Sequence, residues 1–345
     1  MEVLCAASDP APRARLGENQ PEKRRSLILE RLRRPRERAV RITPVPSDGG
    51  AALNACASHG VLSAELLDLL RSAHAAWRAE DERDESFASR DTLCATGLVP
   101  YWFVRERPPA AAPWERRLAW HASDALTPIF DDTARVLAED AAVCARAVEL
   151  VAAPAASSCA VYALTTHPGH HAAGAHYGGY CFVCWAAFVA RKLAALGHVP
   201  FVVDVDYHAG DGTAALAADP AVGFAFVSLH AAADYPYLPH EEGAPAWAVA
   251  VPPRATWREY APLLEAALAR RPPATTAIVL SLGYDGLAAD PDAIPKSRMG
   301  LVPADFGALR AALRAACGGL PLVAVQEGGY CMEEIPDAAE AFVLG

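Results

Sequence analysis

An open, mostly parallel α/β sheet with helices on both faces is the fold the sequence predicts, and three observations carry it. From about residue 159, short apolar runs alternate with helical stretches. The runs are continuously apolar rather than alternating, as suits strands covered on both faces. Five of the runs end in polar residues, which puts a site at the carboxyl ends of the strands, where open parallel sheets bind their ligands.

In chain order, MEVLCAA (1–7) reads as a first strand, and Arg15 to Arg41 as charged and mostly helical. Leu62, Leu66, Leu69, Leu70, Ala73 and Trp77 form a helical stripe between Leu62 and Arg78. An acidic, apolar-poor loop follows at 79–91, and 92–130 reads as irregular, with many prolines and aromatics. Thr133 to Val151 is an amphipathic helix. Then come CAVYALTT (159–166), a helix over 185–196, VPFVVDVD (199–206), VGFAFVSLH (222–230) and AWAVAVP (246–252). A helix over 256–271, TAIVLSLGYD (276–285), a helix over 303–316 and LPLVAVQEGGY (320–330) complete the series. Thr256 and Glu259 stand at capping-box spacing. No linker or repeat interrupts the pattern, so the chain reads as one domain over 1–345.

Bulk properties narrow the classes of function. A hydrophobic content of 53% over 345 residues is ample for a large core. The net charge of −10 argues against nucleic acid as a partner and is compatible with cationic small molecules. No stretch approaches the roughly 20 apolar residues of a membrane span. The first residues lack the basic-then-apolar order of a secretory signal. The nine cysteines are scattered without small-scaffold spacing, as reduced thiols of a cytoplasmic protein would be.

The five polar run-ends are THPGHH (166–171), DVDYHAGDG (204–212), SLH (228–230), LGYDG (282–286) and EGGY (327–330). Strand side chains alternate, so Asp204, Asp206 and His208 share one face. Carboxylates and an imidazole on one face suit a divalent cation, and Asp285, from another strand end, adds a further ligand. Three N/O ligands with an open position is the arrangement of a catalytic zinc site.

These motifs, in this order, resemble the histone deacetylase superfamily, and within it the acetylpolyamine amidohydrolases and related bacterial deacetylases. HPGHHAAGAHYGGYC (167–181) matches the family's tandem-histidine segment and DVDYHAGDGT (204–213) its metal motif. SLH, GYDGLAADP (283–291) and EGGY follow in family order. Pro21, Glu22 and Arg24 match more faintly, and SDALTPI (123–129) resembles the polyamine branch in particular.

The resemblance implies a single-domain fold of the arginase/deacetylase type. It implies Zn2+, or alternatively Fe2+, held by Asp206, His208 and Asp285. It makes His170 and His171 the proton-transfer pair, with Asp204 orienting His170 and Asp211 orienting His171, and assigns oxyanion stabilisation to Tyr330. Gly179 and Tyr180 would line the channel to the metal. A structural K+ would sit among Asp204, Asp206, Ser228 and Leu229. Glu115 falls where the polyamine branch carries an acidic residue, which suits a cationic amine substrate. The implied reaction is hydrolysis of an acetyl amide to acetate and a primary amine. The implied substrate is a small acetylated amine such as an acetylpolyamine, and the polyamine branch also implies a homodimer. An acetyl-lysine protein deacetylase, a biosynthetic small-molecule deacetylase, a two-manganese hydrolase and an inactive amide-binding relative stay open as other readings. Three departures from the family pattern bear on them: Cys184 and Trp185 replace a pair of asparagines, and Ala209 replaces a histidine.

Overall fold

A computed structural model of the chain describes residues 1–8, 20–34, 40–81, 97–100, 104–153, 160–219, 224–238 and 244–345. Its frame is one eight-stranded sheet in the order β2-β1-β3-β8-β7-β4-β5-β6. The strands are β1 (Glu2–Ala6), β2 (Arg41–Val45), β3 (Ala160–Ala163), β4 (Pro200–Asp204), β5 (Ala225–Ala231), β6 (Ala248–Val251), β7 (Ala277–Leu282) and β8 (Leu322–Gln326). Every pairing is parallel, as the continuously apolar runs predict.

Each central strand sends alternate residues into two different cores. Val202, Val279, Val323 and Val325 pack on one face with helices Ala51–Ser58, Ala64–Asp81, Thr133–Ala152 and Trp185–Ala195. Phe201, Val203, Ile278, Leu280 and Ala324 pack on the other with Pro21–Arg33, Trp257–Leu268, Pro303–Cys317 and Ile335–Leu344. The helix at 257 starts at the expected place, with the Glu259 carboxylate accepting the Thr256 backbone N–H at 3.0 Å.

Four sequence expectations change. The helical stretch 15–41 shrinks to Pro21–Arg33 among the described residues, where Pro21 opens the helix at a position that needs no N–H donor. Strand β2 lies in what had no strand signal. Its Pro44 lacks an N–H for a ladder, which an edge strand paired only with β1 tolerates. The irregular stretch 92–130 contains the helix Trp114–His121. Of the expected acidic loop 79–91, residues 79–81 finish the helix Ala64–Asp81 and the rest lies outside the described residues. Among the described residues no helix is long and apolar enough to cross a membrane.

Candidate functional site

Parallel strands deliver their last residues to one edge. The three central strands β8, β7 and β4 are neighbours there, so the segments that follow them, 327–330, 283–292 and 204–211, meet. The 166–171 loop after β3 joins them from the other side of β8. Buried acids hold that loop. The Asp140 carboxylate accepts the backbone N–H groups of Thr166 at 2.7 Å and His167 at 3.1 Å. Glu327 accepts those of Gly169 at 2.5 Å and His170 at 3.1 Å, and the Ser281 hydroxyl at 3.0 Å. Arg24 ties the loop to the last strand end, donating to the carbonyls of Thr166 at 3.2 Å and Gly329 at 3.1 Å.

At the centre, one donor atom each from Asp206, His208 and Asp285 lies within 4.8 Å of the others, and all three residues are buried. His208 turns Nδ1 to Asp285 Oδ2 at 3.1 Å and Asp206 Oδ1 at 3.4 Å. Backbone N–H groups brace the carboxylates: Gly328 donates to Asp206 at 2.9 Å, and Tyr207 to Asp285 at 2.8 Å. Gly328 has no room for a side chain, because a Cβ there would run into the oxygens of Asp206 and Asp285. Burial, and next the charge of Asp206, push the Asp285 carboxyl well above its usual range. Two buried acids facing one imidazole are an unfavourable set by themselves, and a divalent cation would satisfy all three. The donor set therefore fits a metal of the zinc or iron type.

A second buried trio, His170, Cys181 and Glu327, also lies within 4.8 Å. Its Glu327 is already engaged by three donors, and burial pushes the Cys181 thiol far above its usual value. That trio is a weaker metal set, because a thiol must ionise to ligate.

The tandem histidines stand side by side, ring centroids 4.0 Å apart, yet in opposite settings. His170 Nδ1 lies 3.0 Å from Asp204, and its Nε2 lies 3.6 Å from Asp206. Burial opposes its charge, but Asp206 and Asp204 outweigh burial and raise it to about 10. His171 pairs through Nδ1 with the half-exposed Asp211 at 2.7 Å. Burial, then the charge of His170, lower it to about 4. The surroundings thus push the two imidazoles of the pair in opposite directions.

These groups line a cavity of about 340 Å³ together with Gly179, Tyr180 and Tyr330. Gly179 and Tyr180 both take positive φ, +54° and +64°. A side chain at 179 would strike the His171 ring. The turn is held by Asp124, which accepts the Gly179 N–H, and by Thr127, whose hydroxyl accepts the Tyr180 N–H at 2.9 Å. The Tyr180 and Tyr330 rings meet edge to face at 5.9 Å. Asp290 positions Tyr330, accepting its N–H at 2.7 Å and that of Cys331 at 3.1 Å.

Glu115 is the sequence-picked residue that the structure does not bring to the cavity. It sits half-buried on helix Trp114–His121 and is not among the lining residues. That helix is turned to Ala64–Asp81, with Arg117 and His121 reaching Glu65 at 3.9 and 3.7 Å. Three other carboxylates line the cavity instead: Asp124, Asp234 and Asp292. Asp234 is committed to structure, accepting the hydroxyls of Tyr207 at 2.6 Å and Ser297 at 3.1 Å. Asp292, 28% exposed, lies 3.8 Å from His208 Nε2. The sequence did carry signals for two of these, since Asp124 belongs to SDALTPI and Asp292 follows the Asp-Pro step. Asp204 and Ser228 stand opposite each other in the β4–β5 register, with Leu229 next along β5. The atypical Trp185 supports the loop by donating its indole N–H to the His167 carbonyl at 3.0 Å, and Cys184 meets the Thr213 hydroxyl at 3.2 Å.

Comparison with known proteins agrees with this architecture. A profile of the histone deacetylase domain matches residues 23–345. Acetylpolyamine amidohydrolase 1 of Pseudomonas aeruginosa is 32% identical, over 79% of this chain and 77% of its own. An acetylpolyamine amidohydrolase of Burkholderia pseudomallei is 31% identical over 91% of this chain and 92% of its own. The crystal structure of acetylpolyamine aminohydrolase from Burkholderia pseudomallei superimposes with a TM-score of 0.76 at 26% identity, covering 99% of this chain and 97% of that one. The chain belongs to the histone deacetylase family of hydrolases.

Proposed function

We propose that this protein is a metal-dependent amidohydrolase that removes acetyl groups from small cationic amines, acetylpolyamines foremost. One observation carries the reading. The Asp206–His208–Asp285 donor set and the two His–Asp pairs face a single cavity that also holds Tyr330. The names of the relatives support the substrate class.

In this reading Asp206, His208 and Asp285 hold one divalent cation, Zn2+ or Fe2+. A cation there supplies Lewis acidity to the amide carbonyl and to water. Neutral His171 is the base: it accepts a proton from the attacking water and delivers it to the leaving nitrogen. Asp211 fixes the tautomer that leaves His171 Nε2 free to do so. His170, paired through Nδ1 with Asp204, stands beside His171 at the reacting carbonyl. The Tyr330 hydroxyl donates to the oxygen on which charge builds as the carbonyl carbon becomes tetrahedral. The products are acetate and a primary amine. Tyr180 and Gly179 flank the alkyl chain. Asp292 is placed to draw in a cationic amine by Coulomb attraction. Asp204, Asp206, Ser228 and Leu229 offer oxygen donors of the kind a hard K+ takes, and we assign them a structural potassium. The seven described cysteines are free thiols, which suits a cytoplasmic location.

The test is metal content paired with acetate release from N-acetylputrescine and from an acetyl-lysine peptide, with Tyr330→Phe as control. About one metal per chain and turnover of acetylputrescine that Tyr330→Phe abolishes is the expected result. Preference for the peptide would reassign the substrate, and two metals per chain would overturn the single-metal reading.

A further inference from the structure

The sheet has a second edge. At the amino-terminal ends of β1, β3, β7 and β8, on the opposite side from the metal donors, lies a larger cavity of about 790 Å³. Its walls are partly apolar, from Leu313, Leu322 and Val343, and its charge comes from Arg41, Arg310 and Arg314. Arg41 and Arg314 are exposed at the mouth. Arg310 is only 9% exposed.

Arg310 lies at the wall of this cavity. Its Nε is fully enclosed and makes no hydrogen bond, as is also true of the Nε of Arg24, Arg25, Arg117 and Arg191. Among the described residues no carboxylate pairs with its guanidinium. Burial, then the like charge of Arg314, lower its pKa, and the opposing influence comes from Cys317 rather than an acid. A buried charge without a partner is costly. Arg310 and Arg314 also stand four residues apart on helix Pro303–Cys317, a spacing at which like charges repel. Attraction to the helix C-terminus accounts for Arg314 in the last turn. It does not account for Arg310, about two turns from the end. The acidic side chain at the lining, Glu2, is engaged by the Thr43 hydroxyl at 2.6 Å.

We propose that this cavity is a binding site for a phosphate monoester with a small apolar body. Arg310 meets the phosphate from within and Arg41 and Arg314 from the mouth, while the body lies against Leu313, Leu322 and Val343. Guanidinium forks match phosphate oxygens. A dianion balances converging arginines better than a single carboxylate does. The site is independent of the deacetylase reading, and no residue is shared between the two cavities.

Phenyl phosphate is the probe, titrated by calorimetry into the metal-loaded protein at constant ionic strength, with benzoate and inorganic phosphate alongside. The expected result is one phenyl phosphate per chain, a raised Tm, and benzoate weaker by about tenfold or more. Arg310→Met should abolish binding and raise the Tm of the ligand-free protein, because it removes an unpaired buried charge. Exposed Arg314→Gln, which leaves the core untouched, should weaken binding by about tenfold. No binding at about 10 mM probe, or binding that both variants leave unchanged, overturns the proposal. Benzoate binding as tightly as phenyl phosphate overturns the choice of phosphate.

Discussion

The two edges of this sheet hold buried charge in opposite ways. At the carboxyl edge almost every buried acid has an answer within the fold. Asp204 faces His170, Glu327 faces two backbone N–H groups and a serine, and Asp290 faces the N–H groups of Tyr330 and Cys331. The exception is the trio Asp206, His208 and Asp285, where two carboxylates compete for one imidazole. At the amino edge stands Arg310, a largely buried cation that no acid among the described residues pairs with. Burial marks neither as a site, since Asp140 and Glu327 are equally buried and serve the fold. What sets both apart is the charge left unbalanced among the described residues: two acids on one imidazole at one edge, and a guanidinium with no acid partner at the other.

If that view of the carboxyl edge is right, Asp206→Asn should be the most damaging substitution. Loss of a metal donor removes several kcal/mol of catalytic stabilisation, so kcat/KM should fall on the order of 10³-fold and metal content should drop with it. A variant that keeps both would show that the trio is only structural. Tyr330→Phe should lower kcat by about 10²–10³-fold with metal retained; a change confined to KM would make Tyr330 a channel wall. Asp211→Asn should cost about 10–100-fold, acting through the orientation of His171, and wild-type rates would remove Asp211 from the machinery. Asp292→Asn should raise KM for acetylputrescine a few-fold, about as much as one partly exposed charge is worth, and spare a neutral acetylated amine. Glu115→Ala should change neither, and a Glu115 effect specific to the cationic substrate would restore it as the recognition residue.

The smallest effect is one of pH. Burial raises the Asp290 carboxyl from 3.8 to about 6, against the pull of the Tyr330 N–H. An acid raised in the folded state contributes its stability fully below the unfolded value and loses it as pH climbs through the folded one. The wild type should therefore lose Tm relative to Asp290→Asn between about pH 4 and 6. Parallel curves over that interval would mean that Asp290 stays ionised throughout.

The legible parts of the molecule are those whose signal is local. Strands β3 to β8 announce themselves as apolar runs. DVDYHAGDG packs two of the candidate metal donors, Asp206 and His208, and the two acids that pair with the tandem histidines, Asp204 and Asp211, into nine residues. The helix Trp114–His121 was hidden by the prolines and aromatics before it, and Glu115, picked by resemblance to the polyamine branch, lies on that helix and not among the residues lining the cavity. Asp124 was hidden for another reason: its role depends on Gly179, 55 residues away, and no periodicity reports such a contact. Arg310 reads in sequence as an ordinary charged position on an amphipathic helix. Only the fold shows that no acid among the described residues pairs with it.

Strand β8 is the last of the eight in the chain, yet it lies between β3 and β7 rather than at an edge. During synthesis, β3 and β7 leave the ribosome with no neighbour between them, each with a bare row of backbone donors and acceptors. Gly328, which braces Asp206, and Glu327, which holds the His170 loop, emerge later still. A nascent chain stopped before residue 322 therefore has the candidate donors Asp206, His208 and Asp285 but not the bracing that sets their geometry. On the proposed reading the cation would be bound only once β8 is in place, and until then the half-made sheet keeps an open edge exposed to aggregation.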